Sequence, residues 1–164
     1  MRAGGLCVAF VGLPAARLKN AIGRYNVSGI RRSDVEAQSR VGERTSMSYA
    51  IVYDSSTGNT QRLACAVKEA LPAEEVGAFG RVGDVDPAAL VAADRVYAGF
   101  WTNRGDCTDQ MAEVLSQLEG KEVFLFGTAG FGADQTYFAG VMARVARHVP
   151  ESAQLVGSFM CQGQ

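Results

Sequence analysis

Residues 49–64, YAIVYDSSTGNTQRLA, pass from an apolar run through a hydroxyl-rich loop into a helical pattern. The run at 49–53 is short and rich in β-branched and aromatic residues, which predicts a buried strand. Beyond the loop, Leu63, Val67 and Leu71 recur at the spacing of a helix that packs on one face. A strand, a loop and a helix in this order form the repeating unit of an α/β sheet.

The same alternation continues to the end of the chain. Asp86 and Pro87 fit the cap and the first position of a helix, and Gly120 fits the end of another. Because apolar strands alternate with helices, the pattern predicts a doubly wound, five-stranded parallel sheet with helices on both faces. The predicted strands are 49–53, 74–80, 95–100, 122–127 and 153–160, and the predicted helices are 60–71, 86–93, 108–120 and 136–149.

Three conspicuous loops, at 54–60, 101–106 and 128–134, leave the first, third and fourth predicted strands. The carboxyl ends of parallel strands lie at the same edge of a sheet, so these loops are expected to meet there. In doubly wound sheets, ligands bind beyond this edge, where the strand order reverses. The shared edge is therefore the predicted ligand site.

The working domain is predicted to comprise residues 47–164, with residues 1–46 as an N-terminal extension. The extension carries eight Lys and Arg against three Asp and Glu, whereas 47–164 carry eight against fourteen. We expect the extension to be disordered or partly helical. A secretory signal is the alternative, although the apolar run behind Arg2 is short and contains Gly12 and Pro14.

The composition, with 48% hydrophobic and 20% charged residues, is that of an ordinary globular protein. No apolar run is long enough to span a bilayer, so no membrane association is expected. The four cysteines are scattered and form no CxxC pair, which argues against a zinc cluster or a disulfide scaffold and favours a cytoplasmic protein. The acidic domain disfavours nucleic acid as a partner and favours docking on a basic protein surface.

The first loop is typical of an anion-binding site that uses no lysine. It opens a helix, whose unpaired amides and partial positive charge attract phosphate. Neither a Walker motif nor GxGxxG is present, so the predicted phosphate is held without being hydrolysed. A plain Ser/Thr helix cap is the alternative interpretation. The candidate phosphate ligands are Ser55, Ser56, Thr57, Gly58, Asn59 and Thr60.

The second and third loops offer surfaces for a flat ring. Trp101, the only tryptophan, follows the third strand and offers an indole for stacking, unless it folds back onto the core. The string GTAGFGAD at 127–134, which includes the third loop, has three glycines around Phe131; it predicts main-chain contacts to a polar ring edge and a second stacking face. A flexible turn is the alternative for this loop. Together the three loops indicate a heteroaromatic monophosphate.

On these motifs, residues 47–164 resemble the flavodoxin family. DSSTGNT at 54–60 looks like that family's FMN phosphate loop. Trp101 falls where the family often places an aromatic residue that stacks on the isoalloxazine, and GTAGFG at 127–132 falls where its third loop contacts the pyrimidine side of the flavin. GFWTNRGDC at 99–107 and FMCQGQ at 159–164 look closest to small bacterial flavodoxin-like proteins, some of which accompany bilin reductases.

The resemblance implies strand order 2-1-3-4-5 and FMN as the cofactor. The sequence departs from the family in two places: the third loop lacks the usual Gly-Asp and stacking tyrosine, and the last helix is expected to be missing after the fifth strand. The implied FMN-binding residues are Ser55, Ser56, Thr57, Gly58, Asn59, Thr60, Phe100, Trp101, Thr102, Thr128, Ala129, Gly130, Phe131 and Gly132.

The resemblance also implies an electron-transfer protein that shuttles electrons to a partner reductase, rather than an enzyme with a substrate of its own. Asp106, Asp109 and Asp134 are candidates for an acidic rim that lowers the potential of the reduced flavin, with ordinary solvated charge as the alternative for each. Two other functions stay open. One is a flavodoxin-fold docking module that does not retain flavin, and the other is a small FMN-dependent NAD(P)H or quinone reductase.

The sequence shows no general base, nucleophile or metal cluster, so we expect neither catalytic nor metal-binding residues. His148, the sole histidine, is expected at the surface late in a helix. Cys107 and Cys161 are expected to be structural thiols near the edge of the site.

Overall fold

A computed structural model of the chain describes residues 47–130 and 134–163. Within them, five strands form a single sheet in the order β2-β1-β3-β4-β5, and every neighbouring pair is parallel. The predicted fold class and strand order are therefore confirmed. The strands are β1 Tyr49–Tyr53, β2 Val76–Arg81, β3 Arg95–Trp101, β4 Glu122–Ala129 and β5 Gln154–Gln162.

Four α-helices connect these strands in the described part of the chain. None of them is long and apolar enough to cross a membrane. The extension at 1–46 lies outside the described residues, so its predicted character and the boundary at Met47 stay predictions. The helices are α1 Asn59–Ala70, α2 Pro87–Ala92, α3 Asp109–Ser116 and α4 Gln135–Val145, with short 3-10 turns at Ala73–Glu75 and Ala146–His148.

Side chains of successive β1 residues point to opposite faces of the sheet and enter two separate cores. Ala50 and Val52 pack with residues of α2, α3 and α4, whereas Ile51 packs with α1. Among the described helices, α1 therefore covers one face and the other three cover the opposite face. Because the helices cover the two faces, the edge at the carboxyl ends of the strands is occupied by loops.

Glycines in β3 and β4 allow large aromatic rings to lie on the neighbouring strand. A Cβ at Gly99 would come within 2.2 Å of the Phe126 ring, and one at Gly127 within 2.6 Å of the Phe100 ring. Both rings are almost completely buried, and each contributes about 1.5–3 kcal/mol through the hydrophobic effect. Glycine in these strands is thus a packing requirement.

Several predicted boundaries were wrong, including that of α4, which ends at Val145 rather than at Val149. Helix α3 ends at Ser116 rather than near Gly120, because the chain turns after Gln117 and places Leu118, which is only 2% exposed, into the core. Strand β4 extends to Ala129, because Thr128 and Ala129 pair with β5 and therefore belong to the sheet rather than to a loop.

Candidate functional site

The first loop is a tight turn that presents the start of α1 at the sheet edge. The Gly58 amide donates to Ser55 Oγ at 3.1 Å, and Gly58 adopts φ 88°, a left-handed conformation that favours glycine. Ser55 is buried beneath the turn, whereas Ser56 and Thr57 are exposed. No atom lies within 4 Å of the position that a Gly58 side chain would occupy, so the space above the turn is open.

Thr60 connects the first loop to the end of β4. Its hydroxyl lies 2.9 Å from the hydroxyl of Thr128, and both residues are buried. One of the two hydroxyl protons is used in this hydrogen bond, and the other is available for an acceptor at the start of α1. The pair therefore keeps one donor beside the helix end where an anion is favoured.

Thr102 links the second loop to Thr128, the residue that Thr60 also contacts. Its amide and its hydroxyl both donate to the carbonyl oxygen of Thr128, at 2.8 and 3.0 Å. The first and second loops thus meet at Thr128 near the end of β4, which contacts both Thr60 and Thr102.

Asp54 is a site residue that the sequence reasoning missed. Asp54 is 7% exposed, and its carboxylate accepts hydrogen bonds from Trp101 Nε1 at 3.2 Å and from Thr108 Oγ1 at 2.6 Å. Arg81 lies 3.9 Å away and donates to the Ser55 carbonyl at 2.9 Å. The sequence did offer one signal for this role. Asp54 is a single acidic residue directly after a buried strand, a position where a charged side chain is expected to be partly buried.

The second loop presents Trp101 but not Phe100. The Trp101 indole is half-buried at the edge, with its N–H fixed by Asp54, so part of the ring stays accessible. The Phe100 side chain is 1% exposed and packs in the core on the α3 and α4 face. Only the main chain of Phe100 is therefore left to contact a ligand.

The third loop begins at Gly130, which is exposed and has open space where a side chain would lie. Phe131 and Gly132, predicted to contact the ring, lie outside the described residues. Ala129 is buried, and its carbonyl accepts from the Gly163 amide at 2.8 Å. Gly163, the residue after β5, is thus hydrogen-bonded to the end of β4 beside the candidate site.

Asn59 lies against Gly163. Its Nδ2 donates to Thr57 Oγ1 at 3.2 Å, and a Cβ at Gly163 would lie 2.7 Å from the same nitrogen. A side chain at 163 would therefore displace Asn59 from the first loop.

Two of the three predicted rim carboxylates have local partners. Asp106 accepts from the Cys107 amide at 2.8 Å and lies 3.2 Å from His148, and Asp134 caps α4 by accepting from the Thr136 amide at 3.0 Å. Asp109 is exposed in the first turn of α3. Of the three, Asp109 best fits a solvated rim charge.

Cys107 is a buried thiol. Burial, reinforced by the neighbouring Asp106 carboxylate, raises the pKa of Cys107 to about 12. A thiol with this pKa is neutral near pH 7, as expected of a structural cysteine and unlike a nucleophile. His148 is half-buried rather than fully exposed.

Residues 50–164 match the family model of the flavodoxin domain. The chain belongs to the flavodoxin family. This flavodoxin-family protein is also 42% identical over 132 residues to the flavodoxin-like domain-containing protein BilS of Clostridium symbiosum (strain WAL-14163). That match covers 72% of this chain and 69% of the relative.

Solved structures share the fold at lower sequence identity. The two-electron reduced flavodoxin of Megasphaera elsdenii matches with TM-score 0.50 and 24% identity, over 68% of this chain and 84% of that one. A flavoprotein from Lactobacillus acidophilus in complex with FMN matches with TM-score 0.50 and 12% identity, over 70% and 93%. These likenesses establish the flavodoxin-like sheet.

Proposed function

We propose that this protein binds FMN at the edge formed by the three loops and transfers electrons to a partner protein. The observation that carries the proposal is the contact of Thr60 with Thr128, which aligns a hydroxyl-rich helix start with the end of β4. Family membership and the FMN complex of a protein with the same fold support the choice of ligand.

The phosphate would be held by neutral donors. Ser56 and Thr57 are exposed at the turn, and the Thr60–Thr128 pair has one hydroxyl proton beyond the one shared between them. The first turn of α1 adds unpaired amides and the positive end of the helix dipole. Each hydrogen bond to a charged phosphate oxygen is worth about 1.5–3 kcal/mol, so three or four of them hold a phosphate without a lysine.

The ring would lie beside Trp101. Asp54 fixes the indole N–H, so the accessible part of this side chain has a set orientation. The open space at Gly130 leaves room for a ring to approach the end of β4. FMN, when bound, supplies the redox chemistry, and the chain positions and shields it.

The charge of the domain favours a basic partner. Residues 47–164 carry fourteen acidic and eight basic side chains, a net of about −6. Exposed carboxylates such as Asp109 disfavour added negative charge at the edge and steer association with a positively charged surface. We therefore infer an electron carrier rather than an enzyme with its own substrate.

Titration of the purified full-length chain into FMN tests the proposal. We expect quenching of flavin fluorescence at one equivalent, a yellow complex, and weaker binding when Thr57 is changed to Val. The matched control is Thr136→Val, which removes an exposed hydroxyl at the start of α4. A chain that leaves flavin fluorescence unchanged would contradict FMN binding and favour a docking module.

Electron transfer is tested separately. The reduced complex should reoxidise on mixing with a basic haem protein, and the rate should fall as salt screens the charges. Oxidation of NAD(P)H by the complex without a partner would instead favour a reductase.

A further inference from the structure

We propose that Asp106, Cys107 and His148 bind a zinc ion. The structure brings a carboxylate oxygen, a thiol sulfur and an imidazole nitrogen together, and these three ligand atoms all lie within 4.8 Å of one another. Nothing in the sequence pattern predicted this, because His148 reaches the other two residues from the 3-10 turn that follows α4. The cluster is distinct from the residues proposed to hold FMN.

The distances fit a tetrahedral zinc site. Zinc binds carboxylate oxygen and histidine nitrogen at about 2.0–2.2 Å, which places two such atoms about 3.3 Å apart on a tetrahedron. Asp106 Oδ1 and His148 Nε2 are 3.2 Å apart. The Cys107 sulfur lies within 4.8 Å of both atoms, and a rotation of its side chain would bring it to the zinc–sulfur distance of about 2.3 Å.

The cluster is built on a rigid turn. The amides of Asn103 and Asp106 donate to each other's carbonyls at 2.8 and 3.0 Å, and Arg104 and Gly105 both have positive φ, 50° and 86°. A left-handed non-glycine residue is strained and persists only where its surroundings hold it. The turn thus holds Asp106 and Cys107 in one orientation.

Helix α4 fixes His148 to this turn. Arg144, one helical turn before His148, donates from Nη1 to the Gly105 carbonyl at 2.8 Å. The Cys107 amide donates to Asp106 Oδ1 at 2.8 Å, which orients the carboxylate in the way that outer-shell hydrogen bonds orient metal ligands.

The ligand types select the metal. One sulfur, one nitrogen and one oxygen suit zinc, whereas magnesium and calcium require mostly oxygen ligands. Cys107 is buried, while Asp106 and His148 are half-exposed, so one side is open for a water as the fourth ligand.

The site is connected to the proposed stacking residue. Thr108, adjacent to Cys107, donates to Asp54, which in turn accepts from the Trp101 indole. Zinc at the cluster would hold the segment from the turn to Thr108 in place. We therefore expect metal binding to change the fluorescence of Trp101.

Cobalt(II) is the direct probe, because a cobalt–thiolate bond gives a near-ultraviolet charge-transfer band. The full-length chain, treated with a chelator, should bind one cobalt with this band and release it to zinc. His148→Ala should weaken binding about 10-fold or more, and Cys107→Ala should abolish the band. The control Cys65→Ala should leave both unchanged.

Two outcomes would overturn the proposal. One is the absence of a thiolate band in the wild-type chain, as expected if Asp106 and His148 form only an ion pair. The other is a band that persists in Cys107→Ala, which would place the metal elsewhere.

Because Cys107 is buried, Asp106→Asn serves as a second variant in case Cys107→Ala fails to fold, since it keeps the hydrogen bond to the Cys107 amide. Asp106→Asn should weaken cobalt binding about 10-fold or more, and unchanged affinity would contradict the site.

Discussion

Thr60 Oγ1 and Thr128 Oγ1 lie 2.9 Å apart in the interior, although 68 residues separate them in the chain. The contact joins the first turn of α1 to the end of β4, beside the loop proposed to hold the phosphate. The pair keeps one hydroxyl proton for a further acceptor, beside a helix start that favours an anion.

Thr60→Val keeps the shape of the side chain and removes its hydroxyl. We expect FMN affinity to fall about 10- to 100-fold, because a hydrogen bond to a charged group is lost and Thr128 loses its partner. Flavin fluorescence titration measures the effect. Thr136→Val, at an exposed position of α4, should bind like the wild-type chain. Equal affinity for both variants would rule out a role for Thr60 in phosphate binding.

Gly58→Ala and Gly140→Ala should have opposite effects on the free energy of unfolding. Gly58 has φ 88°, so alanine there is strained by about 1–2 kcal/mol although no atom blocks its Cβ. Gly140 lies within α4 with open space around it, so alanine there stabilises the helix by about 0.5–1 kcal/mol. Urea unfolding of both variants measures the difference. Stabilisation by Gly58→Ala would show that the left-handed turn is not formed.

Asp54→Ala should destabilise the protein and alter the emission of Trp101. The change leaves the Trp101 N–H and the Thr108 hydroxyl without their shared acceptor, which costs about 2–3 kcal/mol. Because Trp101 is the only tryptophan, intrinsic fluorescence reports on this contact directly. Asp86→Ala removes the exposed cap of α2, costs about 1 kcal/mol and should leave the emission unchanged. Identical spectra for wild type and Asp54→Ala would contradict the Asp54 contact.

Asp94 should make stability depend on pH in the acid range. The backbone amide of Ser48 and then its hydroxyl donate to Asp94 Oδ2, at 2.8 and 2.9 Å, and these hydrogen bonds lower the pKa of Asp94. A pKa lower in the folded than in the unfolded chain stabilises the fold above the unfolded value of about 3.9. That stabilisation is lost as the pH falls through the folded value.

Chemical unfolding between pH 6 and pH 2 measures this effect. Asp94→Asn should flatten the acid limb of the stability curve, and Ser48→Ala should flatten it partly, because the backbone donor remains. An unchanged curve for Asp94→Asn would show that the hydrogen bonds do not stabilise the charged carboxylate.

Local patterns predicted the strands, the order of elements and the first loop. The run before Asp54 and the helical spacing after Gly58 are both local signals, so β1, α1 and the turn between them followed from the sequence. The membership of Thr128 and Ala129 in β4 was missed, because pairing with β5 decides it and the GTAG string reads as a loop.

Long-range packing set the features that the sequence did not predict. Both faces of β3 are buried, so no alternation of polar residues indicates that Phe100 points into the core while Trp101 reaches the edge. The contact of Asp54 with Thr108 and that of Asp106 with His148 join residues 54 and 42 positions apart. Such contacts depend on how the connecting helices pack, and no local pattern predicts them.

The most direct measurement compares the affinities of the full-length chain for FMN and for riboflavin, which has the same ring and no phosphate. Binding through the first loop predicts that FMN binds at least about 100-fold more tightly, since several charge-assisted hydrogen bonds depend on the phosphate. Thr60→Val should reduce that ratio and leave the affinity for riboflavin unchanged. Equal affinities for the two flavins, or no binding of either, would contradict a phosphate site at residues 54–60.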